Sequence, residues 1–257
     1  METENALTKK RERVYKALSV GLALVLWQGA AMGLNSELIL SSPIKTAVRL
    51  MELVQEASFW QAIGFTFSRI LLGFLLGALL GTGLGLLAGR FRGVEVLLWP
   101  YMKAAKTVPV ASFIILSLFF LKARQLSVFI SFLMVLPVLY ENVRQGVQST
   151  DKALLEMGQV FKVPYGRRLL YIYLPALKPF LLSGCATALG LCWKAGVAAE
   201  VIAVTANSIG GRLYDAKVYF MTSDLLAWTA VIVLVSVGFE KLVLWGMHRG
   251  YALLEGR

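Results

Sequence analysis

The chain has 257 residues, 58% hydrophobic and only 16% charged, against roughly a quarter charged in ordinary soluble domains. That balance excludes a freely soluble globular protein, and the net charge of +11 does not call for nucleic acid, since basic loops beside anionic lipid account for it. With His248 as the single histidine, no His-based metal cluster or Ser/His/Asp set can be built, and no nucleophile and base can be placed together, so neither a catalytic nor a metal site is expected.

The basic segment 1–16 precedes a charge-free run of 20 residues, Ala17 to Ser36, about what a helix needs to cross ~30 Å of hydrocarbon. The run is full length and lacks an A-x-A-like exit before Glu37, so it reads as an anchor and not as a cleaved signal. Residues 37–60 follow as an outer amphipathic helix: Ser41-Ser42-Pro43 offers a cap and a first-turn proline, and Ile44, Ala47, Val48, Met51 and Val54 fall at helical spacing.

A second charge-free run of 20 residues, Ile70 to Gly89, carries Gly73, Gly77, Gly81, Gly85 and Gly89 at intervals of four. Four residues drift only ~40° on an α-helix, so these glycines form a slowly turning groove for close helix packing, within one subunit or at a dimer seam.

Four shorter segments, Thr107–Leu121, Leu126–Tyr140, Pro179–Trp193 and Leu225–Phe239, run 15 residues each between charges and bring the expected spans to six. Taken singly, each could be a buried core helix. Residues 206–223, with Gly210-Gly211, are too polar to span and read as a surface or partly re-entrant outer segment. Cys185 and Cys192 share a face of the fifth span as reduced packing residues.

Orientation supports the set. With an internal N-terminus, seventeen of the 26 Lys and Arg residues fall in the inner segments 1–16, 90–106, 144–178 and 248–257, against six in the outer loops. Both termini are therefore expected in the cytoplasm of a multi-pass protein of the cell membrane.

The inner loop 150–168 carries the functional signal. Asp151 to Lys162 reads as a short helix that breaks at Val163-Pro164-Tyr165-Gly166, with Leu154, Met157, Val160 and Phe161 on one face and Lys152, Glu156, Gln159 and Lys162 on the flank. Such a face needs something to cover it.

In register, Glu156, Ile172, Leu174 and Pro175 resemble the EAA signature of type I ABC importer permeases. Met157 and Gly158 stand where that family has alanines and Lys162 where it has glycine, so the turn is expected to differ in shape. The stretches Thr66–Phe74 and Trp193–Glu200 are similar to the nitrate, sulfonate and taurine branch, and the likeness covers roughly residues 40–247.

The resemblance implies an all-α permease domain spanning 1–257, with about six transmembrane helices. The loop would form a coupling helix seated in a separate ATP-binding subunit, with Phe161 and Met157 as inserted knobs and Leu154, Glu156, Gly158, Val160 and Lys162 around them. It also implies two ATPase copies, a second permease copy and an extracytoplasmic solute-binding protein. ATP and Mg²⁺ would be bound by the ATPase, since this chain has no G-x-x-x-x-G-K-[ST] loop. The implied cargo is a small solute, such as a sulfonate, nitrate, taurine or a vitamin precursor.

Lys194, Glu200 and Arg69 lie within spans, where an ionisable group is costly enough to face a cavity or a partner. They are candidates for the translocation path or for structural roles near the outer interface. Six residues apart, Lys194 and Glu200 lie ~120° from each other around a helix and are poorly placed to pair. The rival reading is a secondary transporter or membrane-embedded enzyme working without an ATPase, with Glu200 as an ion-coupling carboxylate.

Overall fold

A computed structural model describes the backbone of residues 2–34, 36 and 38–255, and side chains in that range except at 2–10, 12, 13, 16, 17, 165, 254 and 255. All regular structure among the described residues is helical. Contacts divide the chain into two units, Met1–Trp60 with Arg212–Val231, and Gln61–Gly211 with Ile232–Arg257.

Helix α1 (Glu2–Leu34) runs without a break, so the basic N-terminal segment extends the first apolar run as helix and is not a separate tail. Asn35 and Glu37 lie outside the described residues, as do Met1, Gly256 and Arg257. Helix α2 (Pro43–Val54) starts as its sequence requires: Ser42 Oγ accepts from the Lys45 N–H at 3.3 Å, and Pro43 occupies the first turn.

Helix α3 (Ala57–Arg90) contains the glycine row, and α4 (Arg92–Thr107) follows. Here the expected third span is interrupted. The stretch Thr107–Leu121 is not one helix: Val108 is extended at φ −70° and ψ 131°, Pro109 caps the next element, and α5 (Val110–Ser117) has only 8 residues. The cause is local, because a proline ring disfavours helical conformation in the residue before it. Eight residues rise about 12 Å, well short of the ~30 Å hydrocarbon core.

Helices α6 (Ala123–Gln148), α7 (Lys152–Val160) and α8 (Tyr165–Arg168) come next. A five-residue π-turn, Leu169–Tyr173, then leads into α9 (Leu174–Ile202). The wide turn sits next to Pro175, which has no N–H to give and whose ring would press on the carbonyl four residues back; the looser winding accommodates both. Helices α10 (Ile209–Val218) and α11 (Thr222–Glu255) complete the chain.

Among the described residues, four helical stretches are long and apolar enough to cross a membrane: Ala57–Arg90, Ala123–Gln148, Gly166–Ile202 and Thr222–Leu253; Leu18–Leu34 forms a shorter apolar stretch in α1. Three of the four 15-residue charge-free segments read from sequence, Leu126–Tyr140, Pro179–Trp193 and Leu225–Phe239, are thus parts of longer helices whose ends carry charge.

In the second unit, α6 and α9 form the central pair. Ile114, Leu126, Ile130, Met134, Ala195 and Ala199 make one buried cluster, and Phe67, Phe74, Trp193 and Phe239 a set of rings with centroids 5.0–6.4 Å apart. Cys185 and Cys192 are buried free thiols on α9.

Lipid tails give helices no hydrophobic reason to associate, so close approach must supply the attraction. The structure places the glycine row against α6 within the same chain. A Cβ on Gly73 would meet Val128 O at 2.5 Å, on Gly77 Val135 Cβ at 2.7 Å, on Gly81 Leu136 O at 2.7 Å, and on Gly85 Tyr140 O at 2.7 Å.

In the first unit, α2 is tied to the start of α11. Arg49 donates from Nε to Asp224 Oδ1 at 2.6 Å and from Nη2 to Oδ2 at 3.1 Å, and Nη1 donates to Glu52 at 2.9 Å. These bonds, the one to Asp224 first, hold the Arg49 guanidinium still further above its ordinary value, so it stays charged. Ser41 and Ser223 hydroxyls meet at 2.8 Å, and Thr222 donates to Leu38 O at 2.8 Å.

Candidate functional site

The loop helix α7 is capped at its start by Asp151, whose carboxylate accepts from the Ala153 N–H at 2.8 Å. Gly158 is its buried point, 3.3 Å from Ile172 Cδ1 for an added Cβ and 3.5 Å from Arg168 Cδ. Ile172 belongs to the same sequence signature as Glu156, so the register read from sequence corresponds to a contact in space.

The opposite face is uncovered. Leu154 is 44% exposed, Met157 49%, Val160 78% and Phe161 74%. Four apolar side chains left open on nine helical residues and their C-cap exceed the scattered exposure normal for a surface. Glu156 and Lys162 are exposed beside them.

Lys162, which stands where the resembled family has glycine, adopts the left-handed conformation, at φ 49°. The Val163 N–H reaches Gly158 O at 2.9 Å and the Phe161 N–H reaches Met157 O at 3.0 Å, closing the helix as a glycine would. A left-handed non-glycine residue is strained by roughly 1–2 kcal/mol. Lys162→Gly should therefore slow amide hydrogen exchange across α7, by about 3-fold for a net gain of ~0.6 kcal/mol after glycine's entropic cost.

The three charged candidates within spans are not brought together. Glu200 is fully buried, and one of its oxygens accepts from Thr66 Oγ1 at 2.8 Å and from the Gly210 N–H at 3.3 Å. Thr66 Oγ1 in turn accepts from the Ile209 N–H at 3.0 Å. Ser208 Oγ accepts from the Gly211 N–H at 2.9 Å, and a Cβ on Gly210 would collide with Glu200 Cβ.

Glu200 thus pins residues 205–211 to α3 and α9 within its own chain. Lys194 is exposed on α9 and makes no hydrogen bond or ion pair among the described residues. Arg69 stacks over the Phe65 ring, 3.5 Å from its centroid, and forms no ion pair with Glu200.

Sequence reading missed a further cluster near the α7 end of α6. Arg144 Nη1 donates to Glu95 Oε1 at 2.7 Å and to Gln148 Oε1 at 2.9 Å, Arg144 Nη2 donates to Glu141, and Gln145 donates to the same Glu141 oxygen at 2.7 Å. This network ties α4 to α6 beside a cavity of about 360 Å³ that Tyr140, Lys103 and Lys106 also line. The one available signal was the i, i+3 pair Glu141 and Arg144; the Glu95 partner is 49 residues away. Among the described residues no group of three metal-binding side chains gathers.

Residues 81–245 match the family of binding-protein-dependent transport system inner membrane components. The chain belongs to that family, and is the permease subunit of an ABC importer. It is similar to the taurine transport system permease protein TauC of Escherichia coli, 26% identical over 87% of this chain and 84% of that one. It is also similar to the nitrate import permease protein NrtB of Synechocystis, 26% identical over 93% and 86%, and to the bicarbonate transport system permease protein CmpB of Synechococcus elongatus, 26% identical over 73% and 67%.

Proposed function

We propose that two copies of this chain form a translocation path for a small anion, driven by two separate ATPase subunits that engage α7 and supplied by an extracytoplasmic binding protein. The open apolar face of α7 carries the reading, because its chemistry suits insertion into a cleft of another polypeptide. Basic residues concentrated in the segments around α7 support a cytoplasmic location for it and for both termini.

The cargo class follows the relatives, whose names specify taurine, nitrate and bicarbonate; a sulfonate or a small oxyanion fits all three. Lys194, unpartnered and exposed on a spanning helix, is the side chain we assign to the path. Glu200 serves as a structural anchor in this reading, since one of its oxygens holds Thr66 and the Gly210 N–H together.

Uptake tests the proposal. Purified permease reconstituted in liposomes with its ATPase and binding protein should accumulate labelled taurine or nitrate only when ATP is supplied. Uptake by the permease alone, driven by a proton or sodium gradient, would establish a secondary transporter instead.

A further inference from the structure

A groove of about 650 Å³ runs between α3 and α6 in the second unit. Its walls are Leu72, Leu76 and Leu80 from α3 and Val128, Phe129 and Phe132 from α6, and at one end stand Arg69 and Arg124. The leucines are exposed, Leu72 at 50% and Leu80 at 49%, so nothing among the described residues fills the groove.

The two guanidiniums flank one ring, Arg69 at 3.5 Å and Arg124 at 5.9 Å from the Phe65 centroid, and their charges repel. Neither forms an ion pair among the described residues; Glu200 attracts Arg69 only at longer range, and Arg69 Nη1 is buried without a hydrogen-bond partner. Two unneutralised cations at the end of an apolar channel call for an anion attached to a hydrocarbon.

Depth in the membrane agrees. The 20-residue charge-free run of α3 begins at Ile70, next to Arg69, and that of α6 begins at Leu126, just past Arg124, so a bilayer centred on these runs would put both arginines where headgroups meet hydrocarbon. From Arg69 to Leu80 the helix rises about 16 Å, close to one leaflet, half of a ~30 Å core. A groove one leaflet deep, charged only at its headgroup end, has the dimensions of a lipid.

We propose that this groove binds one acidic phospholipid, its phosphate held by Arg69 and Arg124 and one acyl chain laid along Leu72, Leu76 and Leu80. A zwitterionic headgroup would bring its own cation to the same place and leave the pair unbalanced. A second copy is a poorer occupant: in a two-fold contact through the same patch the arginines would face each other, and α3 has no acidic residue while α6 has only Glu141, near its other end.

The test uses full-length permease, delipidated in neutral detergent and titrated with dioleoylphosphatidylglycerol under native mass spectrometry. The expected result is one tightly retained lipid per chain, with retention at least 10-fold weaker in the double variant Arg69→Gln/Arg124→Gln and preserved in Arg69→Lys. Leu76→Trp, which fills the groove and leaves both charges, should also expel the lipid. Thermal midpoints identify misfolded variants, and the two independent routes keep the test decisive if one fails to fold. Equal retention of phosphatidylcholine, equal displacement by inorganic phosphate, or unchanged binding in the double variant would each overturn the proposal. Loss of dimer with lipid retained would assign the groove to a second copy.

Discussion

Phe161→Asp should abolish productive engagement of the ATPase while leaving the permease itself folded. Phe161 is 74% exposed at the end of α7, and its neighbours Met157 and Val160 are also open, so the free chain gains little from the ring. In a partner's cleft the ring would become buried, an interaction of about 1.5–3 kcal/mol for a phenylalanine, and aspartate adds the cost of taking a charge out of water.

A loss of about 2–3 kcal/mol corresponds to roughly 30- to 150-fold weaker association, and anchors of this size dominate interfaces. The measurements are ATPase binding to detergent-solubilised permease and ATP-driven uptake in liposomes, with the thermal midpoint of the free permease as control. Phe161→Leu should fall between the two. Wild-type assembly and uptake in Phe161→Asp would remove α7 as the docking element.

The second large effect is expected at the helix crossing. In Gly77→Leu the new Cβ would lie 2.7 Å from Val135 Cβ and 2.9 Å from Phe132 O, and neither atom can swing away: one is a branched carbon at the base of its side chain, the other backbone. The helices must separate, and overpacking of this kind costs about 1–3 kcal/mol before lost contacts along the row are counted. Unfolding followed by tryptophan fluorescence should show it.

Gly83→Ala is the internal comparison. It lies on the same helix with nothing within 4 Å, so it should be neutral or stabilising by up to about 1 kcal/mol through helix propensity alone. Equal destabilisation at both positions would mean that the close approach at Gly77 does not hold α3 to α6.

Much of this protein was legible without coordinates. Charge-free runs locate membrane helices because lipid cannot solvate charge, and the glycine interval predicts a packing groove because small residues alone let backbones approach. The amphipathic loop was readable from the spacing of Leu154, Met157, Val160 and Phe161, and Ile172 from the signature register; that Ile172 packs beside Gly158 came only from the fold.

The reading broke down where one residue's effect overrides a composition pattern or where the partner is distant in sequence. Pro109 cuts the segment 107–121 into pieces although its hydropathy alone reads as a span. Lys162 takes a glycine's conformation because the closing bonds of α7 outweigh its strain, which no propensity scale conveys. Arg49 with Asp224, 175 residues apart, and Arg144 with Glu95 pair through the fold, and so does Glu200 with Thr66 and Gly210.

The sequence by itself determined that this is a membrane protein, roughly where it crosses, and which loop presents an unpartnered greasy face, because these follow from local composition and period under the constraint that lipid imposes. Tertiary structure alone decided which partners the buried charges receive: one Glu200 oxygen is held by Thr66 and Gly210, whereas Arg69 has a ring beneath it and no ion pair among the described residues. Glu200 and Arg69 look alike as ionisable residues in apolar segments; only the neighbours brought by folding make the first a clamp and leave the second, with Arg124, at the mouth of a groove.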